Sequence, residues 1–144
     1  ELGFLDPSGQ MITLVEARTY SPPAIHAAPS SRLGYFEEFG IPTSDLDRST
    51  AFWDALGCVA FDPIRAPFAK VVASHRDLNG GLYGTALKRP VLTFSDPDMP
   101  GRIAALRANG HRFVDRLPRG MNARENAMLE APEGTWLLLT TSAA

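Results

Sequence analysis

The chain has 144 residues, of which 44% are hydrophobic and 21% charged, with a formal net charge of −2. That length suits one domain burying roughly 70% of its unfolded surface, and so small a charge, with arginines bunched only in 112–124, excludes the broad basic stripe of a nucleic-acid binder. The single cysteine, Cys58, excludes an internal disulfide and fits a reducing compartment; with no apolar run near 18 residues and no basic-then-apolar leader, the expectation is a cytoplasmic protein with no membrane partner.

In chain order, "FLDPSGQMITL" (4–14) is a small turn closing on Gly9 followed by an apolar run, as in a hairpin. "SPPAIHAAPSSR" (21–32) is rich in proline, alanine and serine and is expected to be a linker. Around Phe39-Gly40-Ile41 an alternating strand leads into Asp45, an acid suited to cap a helix over 44–57 whose apolar residues are Leu46, Trp53 and Leu56 and whose stop is Gly57. Proline-broken apolar stretches, "CVAFDP" and "FAKVVAS", follow, and "DLNGGLYGT" (77–85) is expected to turn at Gly81 before a strand carrying Tyr83.

The same series then recurs. Leu92-Thr93-Phe94 leads into the capping Asp98; Pro100 is tolerated in the first helical turn; Met99, Ile103 and Leu106 form an apolar stripe; and Gly110 stops the helix. "RFVDRLP" and "NAMLE" precede "EAPEGTWLL" (130–138), a turn at Gly134 and a strand carrying Trp136. Asp45 to Asp98 and Gly57 to Gly110 are both 53 positions. Extended downstream, that offset lays Gly81 on Gly134 and Tyr83 on Trp136.

Each unit, about 35–86 and 89–141, thus reads βαβββ. A sheet with one helix per unit cannot cover both faces alone, so two units should pair around a shared concavity. The expected fold class is α+β: paired βαβββ units forming a curved, open-barrel-like mixed sheet around a cleft, with helices outside. Gly9 falls 125 positions before Gly134, so residues 1–20 look like the closing hairpin of another such unit. The expected organisation is that hairpin, a linker over 21–32 and a domain over 33–144. The simplest account makes this the second domain of a tandem protein, the leading strand pairing with a sheet edge.

"IPTSDLDRSTAFWDALG" (41–57), the paired units and "APEGTWLLL" resemble the vicinal oxygen chelate superfamily, which includes glyoxalase I, the bleomycin- and fosfomycin-resistance proteins and the extradiol dioxygenases. The resemblance covers about residues 33–144. It implies a cup-shaped cleft to which four strands each offer one ligand, His, Gln or Glu, for a divalent ion that polarises substrate oxygens. Carried onto this sequence, those positions are Glu38, Val91, Thr85 and Leu138: one carboxylate, one hydroxyl and two hydrocarbons, a poor donor set for a hard or borderline cation. His26, His75 and His111 show no spacing that brings them together, and Glu16, Glu37 and Glu130 are out of phase with the family positions if the register holds.

The expected function is therefore that of a glyoxalase/bleomycin-resistance-like protein that binds a small organic ligand in its cleft without a metal or other cofactor. Glu38 and Thr85 would be polar anchors, with Glu38 the candidate base of any catalysis. Val91, Leu138, Tyr83, Trp136 and Phe94 would form the walls, although Phe94, like Trp53, also suits helix-to-sheet packing. The alternatives are a metal-dependent lyase or dioxygenase of the same superfamily, which would need a divalent ion, or the catalytically inactive half of a tandem enzyme. Besides the ligand, the expected partner is a second copy in a homodimer or a second domain of the same type.

Overall fold

A computed structural model describes residues 1–16, 31–76, 78–84 and 87–141. The elements in order are β1 (Leu2–Leu5), β2 (Met11–Leu14), β3 (Tyr35–Thr43), α1 (Leu46–Ala55), β4 (Val59–Ala60), β5 (Lys70–His75), β6 (Leu78–Gly84), β7 (Val91–Asp96), α2 (Met99–Ala108), β8 (Ala127–Glu130) and β9 (Trp136–Thr141). Most of the linker expected over 21–32 lies outside the described residues.

Both helices begin as their caps dictate. The Asp45 carboxylate accepts the Arg48 N–H at 2.9 Å and that of Asp98 accepts the Gly101 N–H at 3.2 Å, each satisfying an orphan donor of the first turn. Both end two residues before a glycine in the left-handed region, Gly57 at φ +91° and Gly110 at φ +80°, with one cap residue between. In α2, Met99, Ile103 and Leu106 are all buried. In α1, Leu46 and Trp53 pack inward, but Leu56 is 42% exposed: it is the C-cap residue, past the last helical turn, and no longer follows the helical face.

The seven-stranded sheet has the order β4-β5-β6-β3-β7-β9-β8. At its centre β3 and β7 run antiparallel, pairing Glu38 with Thr93 and Gly40 with Val91, and each pairs in parallel with its own unit's last strand, β6 or β9. The paired units are therefore related by a twofold between β3 and β7, and Glu38 and Val91 occupy equivalent places. In the second unit the strand after the helix is reduced to one bridge, Phe113 to Leu129, with a Val114 N–H donating to the Met128 carbonyl at 2.7 Å. Pro118 has no N–H with which to extend the ladder.

One face of the sheet carries the helices. Ile41, Cys58, Val71, Ala73 and Leu82 pack under α1, and Ala127, Leu129 and Leu139 under α2. The other face holds a third cluster, Tyr83, Leu87, Val91, Met128 and Leu138, with Phe68, Leu117, Met121 and Trp136 against it. Those last partners come largely from the connections 61–69 and 111–126, which cover part of the concave side.

Two expectations need correction. Gly81 is not a turn glycine: it lies inside β6, and the hairpin of the first unit turns between His75 and Leu78. Gly40 pairs with Gly81, whereas Thr93, the equivalent of Gly40, pairs with Leu138; the hairpins are thus offset by 57 positions, not 53. The slip of four residues has two sources: the second unit runs three residues longer from its helix-ending glycine to its hairpin, Gly110 to Met128 against Gly57 to Val72, and one residue longer around the turn, Met128 to Leu138 against Val72 to Gly81. The leading strand, in turn, does not join the edge of the large sheet. β1 and β2 pair only with each other; the buried Asp6 carboxylate accepts from Ser8 and Gln10 within the turn, and Phe4 makes an edge-to-face contact with Phe52 of the domain, centroids 5.9 Å apart.

Candidate functional site

The concave face holds a cleft of about 400 Å³ lined by residues from β3, β5, β6, β7 and β9 and from the connections over them. Its polar floor is built from two glycines upward. Gly40 and Gly81 are register partners on β3 and β6. A Cβ on Gly81 would lie 2.8 Å from Glu38 Oε2 and 2.9 Å from Tyr83 Cε1, and one on Gly40 would strike the same ring and sit 2.6 Å from Val91 Cγ1. The missing side chains let the Tyr83 ring lie across both strands, so that its hydroxyl reaches Glu38.

Glu38 is only 3% exposed at its side chain, and Oε1 accepts from two donors: the Lys70 ammonium at 2.7 Å and the Tyr83 hydroxyl. Tyr83 Oη also lies 3.2 Å from Thr93 Oγ1. Two donors on one oxygen balance the cost of burying the carboxylate. Tyr83 is buried, which pushes its phenol pKa up, and the adjacent Glu38 charge pushes it further in the same direction. Tyr83 is thus a neutral hydrogen-bond donor, and Lys70, 18% exposed at its side chain, presents its ammonium to the cleft with donors to spare.

Of the sequence-predicted residues, Glu38, Tyr83 and Leu138 line the cleft. Val91 is fully buried below it, against Tyr83. Trp136 packs at the margin of that cluster with the Arg89 guanidinium 5.3 Å from its ring, and is not among the lining residues. Phe94 is on the helix face, packed with the α2 cluster and edge-to-face with Phe36 at 5.7 Å. Thr85 and His26 lie outside the described residues. Glu37 joins Glu38 in the cleft lining, because the register shift at this point of β3 makes Glu37 an extra residue and suspends the alternation that would send neighbours to opposite faces.

Sequence reasoning missed Lys70, Thr93, Asn122 and Glu125. A signal existed for Lys70: in "FAKVVAS" the alternation sets Lys70 in phase with Val72 and Ser74, opposite the buried Val71 and Ala73, so a cation on the cleft face was readable from the pleat. Thr93 is the direct partner of Glu38 across the seam. Asn122 and Glu125 come from an irregular connection that has no period to read.

The donor set does not fit the divalent ion that the fold's metal-using members hold. Glu38 is the sole described family position with a metal-binding side chain, and its Oε1 is already shared by an ammonium and a phenol; an ammonium in contact with the carboxylate repels a second cation there. Among the described residues no three His, Cys, Asp or Glu side chains converge on a point.

A mixed sheet with an antiparallel β3–β7 seam, parallel outer pairings and one helix per half is also the architecture of solved structures. A hypothetical protein from Bacillus halodurans superposes with a TM-score of 0.60 at 11% identity, over 76% of this chain and 94% of that one. Methylmalonyl-CoA epimerase from Mycobacterium tuberculosis superposes with a TM-score of 0.56 at 17% identity, over 83% and 95%. The chain has the vicinal oxygen chelate fold. A glyoxalase/bleomycin resistance protein/dioxygenase superfamily member from Vibrio splendidus is also similar, with a TM-score of 0.46 at 13% identity over 73% and 97%. At these identities the likeness is one of fold alone. No family model and no curated protein matches the sequence. Among the described residues, no helix of this vicinal oxygen chelate fold is long and apolar enough to cross a membrane.

Proposed function

We propose that the protein binds a small organic ligand in the cleft through its own side chains, with no divalent metal. The observation that carries this reading is the Lys70 ammonium, 2.7 Å from Glu38 Oε1, beside the single described family position that retains a metal-binding side chain. The walls support it: Phe68, Met121 and Leu138 supply apolar surface, and Lys70, Thr93, Asn122 and Thr140 supply a few polar groups, the composition of an organic-ligand site. Lys70 and Tyr83 hold Glu38 in place, and the remaining Lys70 donors orient an acceptor on the ligand.

The test is a thermal-shift screen of chelator-treated protein against small aromatic and dicarbonyl compounds, since a cleft binder raises the melting temperature by mass action. The expected result is a stabilising compound whose effect is lost in Lys70→Met, together with no divalent cation binding tighter than about 10 μM in calorimetry. A nanomolar isotherm for nickel or manganese that Glu38→Gln abolishes overturns the reading.

A further inference from the structure

The described residues contain three hairpins and two strand–helix units. β3–α1 carries the β5–β6 hairpin and β7–α2 carries the β8–β9 hairpin; β1–β2 is the surplus. It duplicates β8–β9 pair by pair. Leu2↔Leu14, Gly3↔Thr13, Phe4↔Ile12 and Leu5↔Met11 correspond, each shifted by 125 positions, to Ala127↔Leu139, Met128↔Leu138, Leu129↔Leu137 and Glu130↔Trp136. The turns share their hydrogen bonds as well. Asp6 N–H donates to the Gln10 carbonyl and Gly9 N–H to the Asp6 carbonyl, both at 2.9 Å, just as Ala131 N–H donates to Thr135 at 2.9 Å and Gly134 N–H to Ala131 at 2.8 Å. Gly9 and Gly134 have φ of +84° and +90°.

What covers β8–β9 is therefore a guide to what fits β1–β2. β9 lies parallel to β7, and Ala127, Leu129 and Leu139 are buried against Met99, Ile103 and Leu106 of α2. In the duplicate, Leu2 and Leu14 are 62% and 48% exposed, and Phe4 touches Phe52 at the side of the patch.

We propose that β1–β2 is the closing hairpin of a third half, and that its apolar face is the docking surface for a strand and amphipathic helix of the β7–α2 kind. The occupant that fits is one strand–helix unit without a hairpin of its own, running strand, helix and connection in the order of this chain's halves. A second copy of residues 1–144 offers no such unit, because both of its strand–helix pairs already carry hairpins. Parallel strand pairing supplies the register and the helix covers Leu2 and Leu14.

The experiment joins residues 88–126, the chain's own strand, helix and connection, ahead of Leu2 of the full chain, since residue 126 stands to Ala127 as residue 1 does to Leu2. Amide exchange of Met11–Leu14 is followed with and without the added segment. The expected result is a monomeric parent whose β2 amides exchange freely, at least about tenfold slower exchange in the fusion, and loss of that protection in the fusion carrying Leu14→Asp, with the melting of the 31–141 domain unchanged. Equal exchange with and without the segment overturns the proposal. So does a parent that dimerises with its β2 amides already protected, for then a second copy is the occupant.

Discussion

Glu38 is stable where it is because two donors share its charge, and the partners are unequal in what their loss exposes. Lys70→Met leaves a carboxylate inside the protein with only Tyr83 to answer it, for an expected loss of about 2–4 kcal/mol. Glu38→Gln leaves an ammonium that water still reaches, so about 1–2 kcal/mol is expected. The double variant should recover part of the Lys70→Met loss, and urea titrations of all four proteins measure that coupling; additive losses would mean the pair does not interact. Tyr83 gives the same cluster a pH signature. Burial first, and the Glu38 charge second, hold its phenol above the ordinary value of 10.0, so the unfolded chain releases this proton while the folded protein keeps it. Below pH 10 the two states bind it equally. Above pH 10 stability falls, by up to about 1.4 kcal/mol for each further pH unit. Urea midpoints from pH 8 to 11 should decline in the parent and flatten in Tyr83→Phe, leaving the smaller slope of Cys58, which burial also raises, from 9.0.

Elements were legible where the local chemistry is self-contained. Asp45 and Gly57, or Asp98 and Gly110, bracket a helix whatever surrounds it, and their common spacing exposes the duplication. The hairpin glycines were not so readable. A glycine pair followed by an aromatic strand looks like a turn, yet Gly80 and Gly81 are in β6, and Gly81 is small because Glu38 approaches it from β3 and the Tyr83 ring leans over it from two residues along the same strand. Sequence alone holds no trace of such a long-range contact, so the offset of 53 laid Gly81 on Gly134 and Tyr83 on Trp136, whereas the sheet registers Gly81 with Leu138, and of the expected walls on β9 Leu138 lines the cleft and Trp136 does not. The two equivalent hairpins allow a direct test of how context sets an element's worth. Leu139 and Leu14 are the same residue at matching register positions, one fully buried and one 48% exposed. Leu139→Ala should cost about 2–5 kcal/mol as a cavity under α2, and Leu14→Ala less than about 0.5 kcal/mol, measured by denaturant unfolding of the 144-residue chain. Comparable losses would show that β2 is already packed against something in solution.

At the scale of the whole molecule, the two halves meet twice. The β3–β7 seam joins them below the cleft. Above it, the connection 61–69 of the first half touches the connection 111–126 of the second: Gly120 packs on Pro67, and Phe68, Leu117 and Met121 share one apolar cluster. This second joint makes the concavity a bounded cleft rather than an open bowl, and it fixes Met121 and Asn122 over the Lys70–Glu38 floor. Gly120 is its most sensitive point. Its φ of +97° disfavours any side chain, and a Cβ there would sit 2.6 Å from the Pro67 carbonyl oxygen. Gly120→Ala must therefore push the two connections apart as well as strain the backbone, at an expected cost of about 1–3 kcal/mol. Because the joint lies over the cleft and away from both helix cores, the damage should be local: faster amide exchange in 66–68 and 119–122, with the β3 and β7 amides retaining their protection, and weaker binding of any compound found by thermal shift. If exchange instead rose equally along β3 and β7, the rim contact would be a support of the whole fold, and the cleft would owe its shape to the sheet alone.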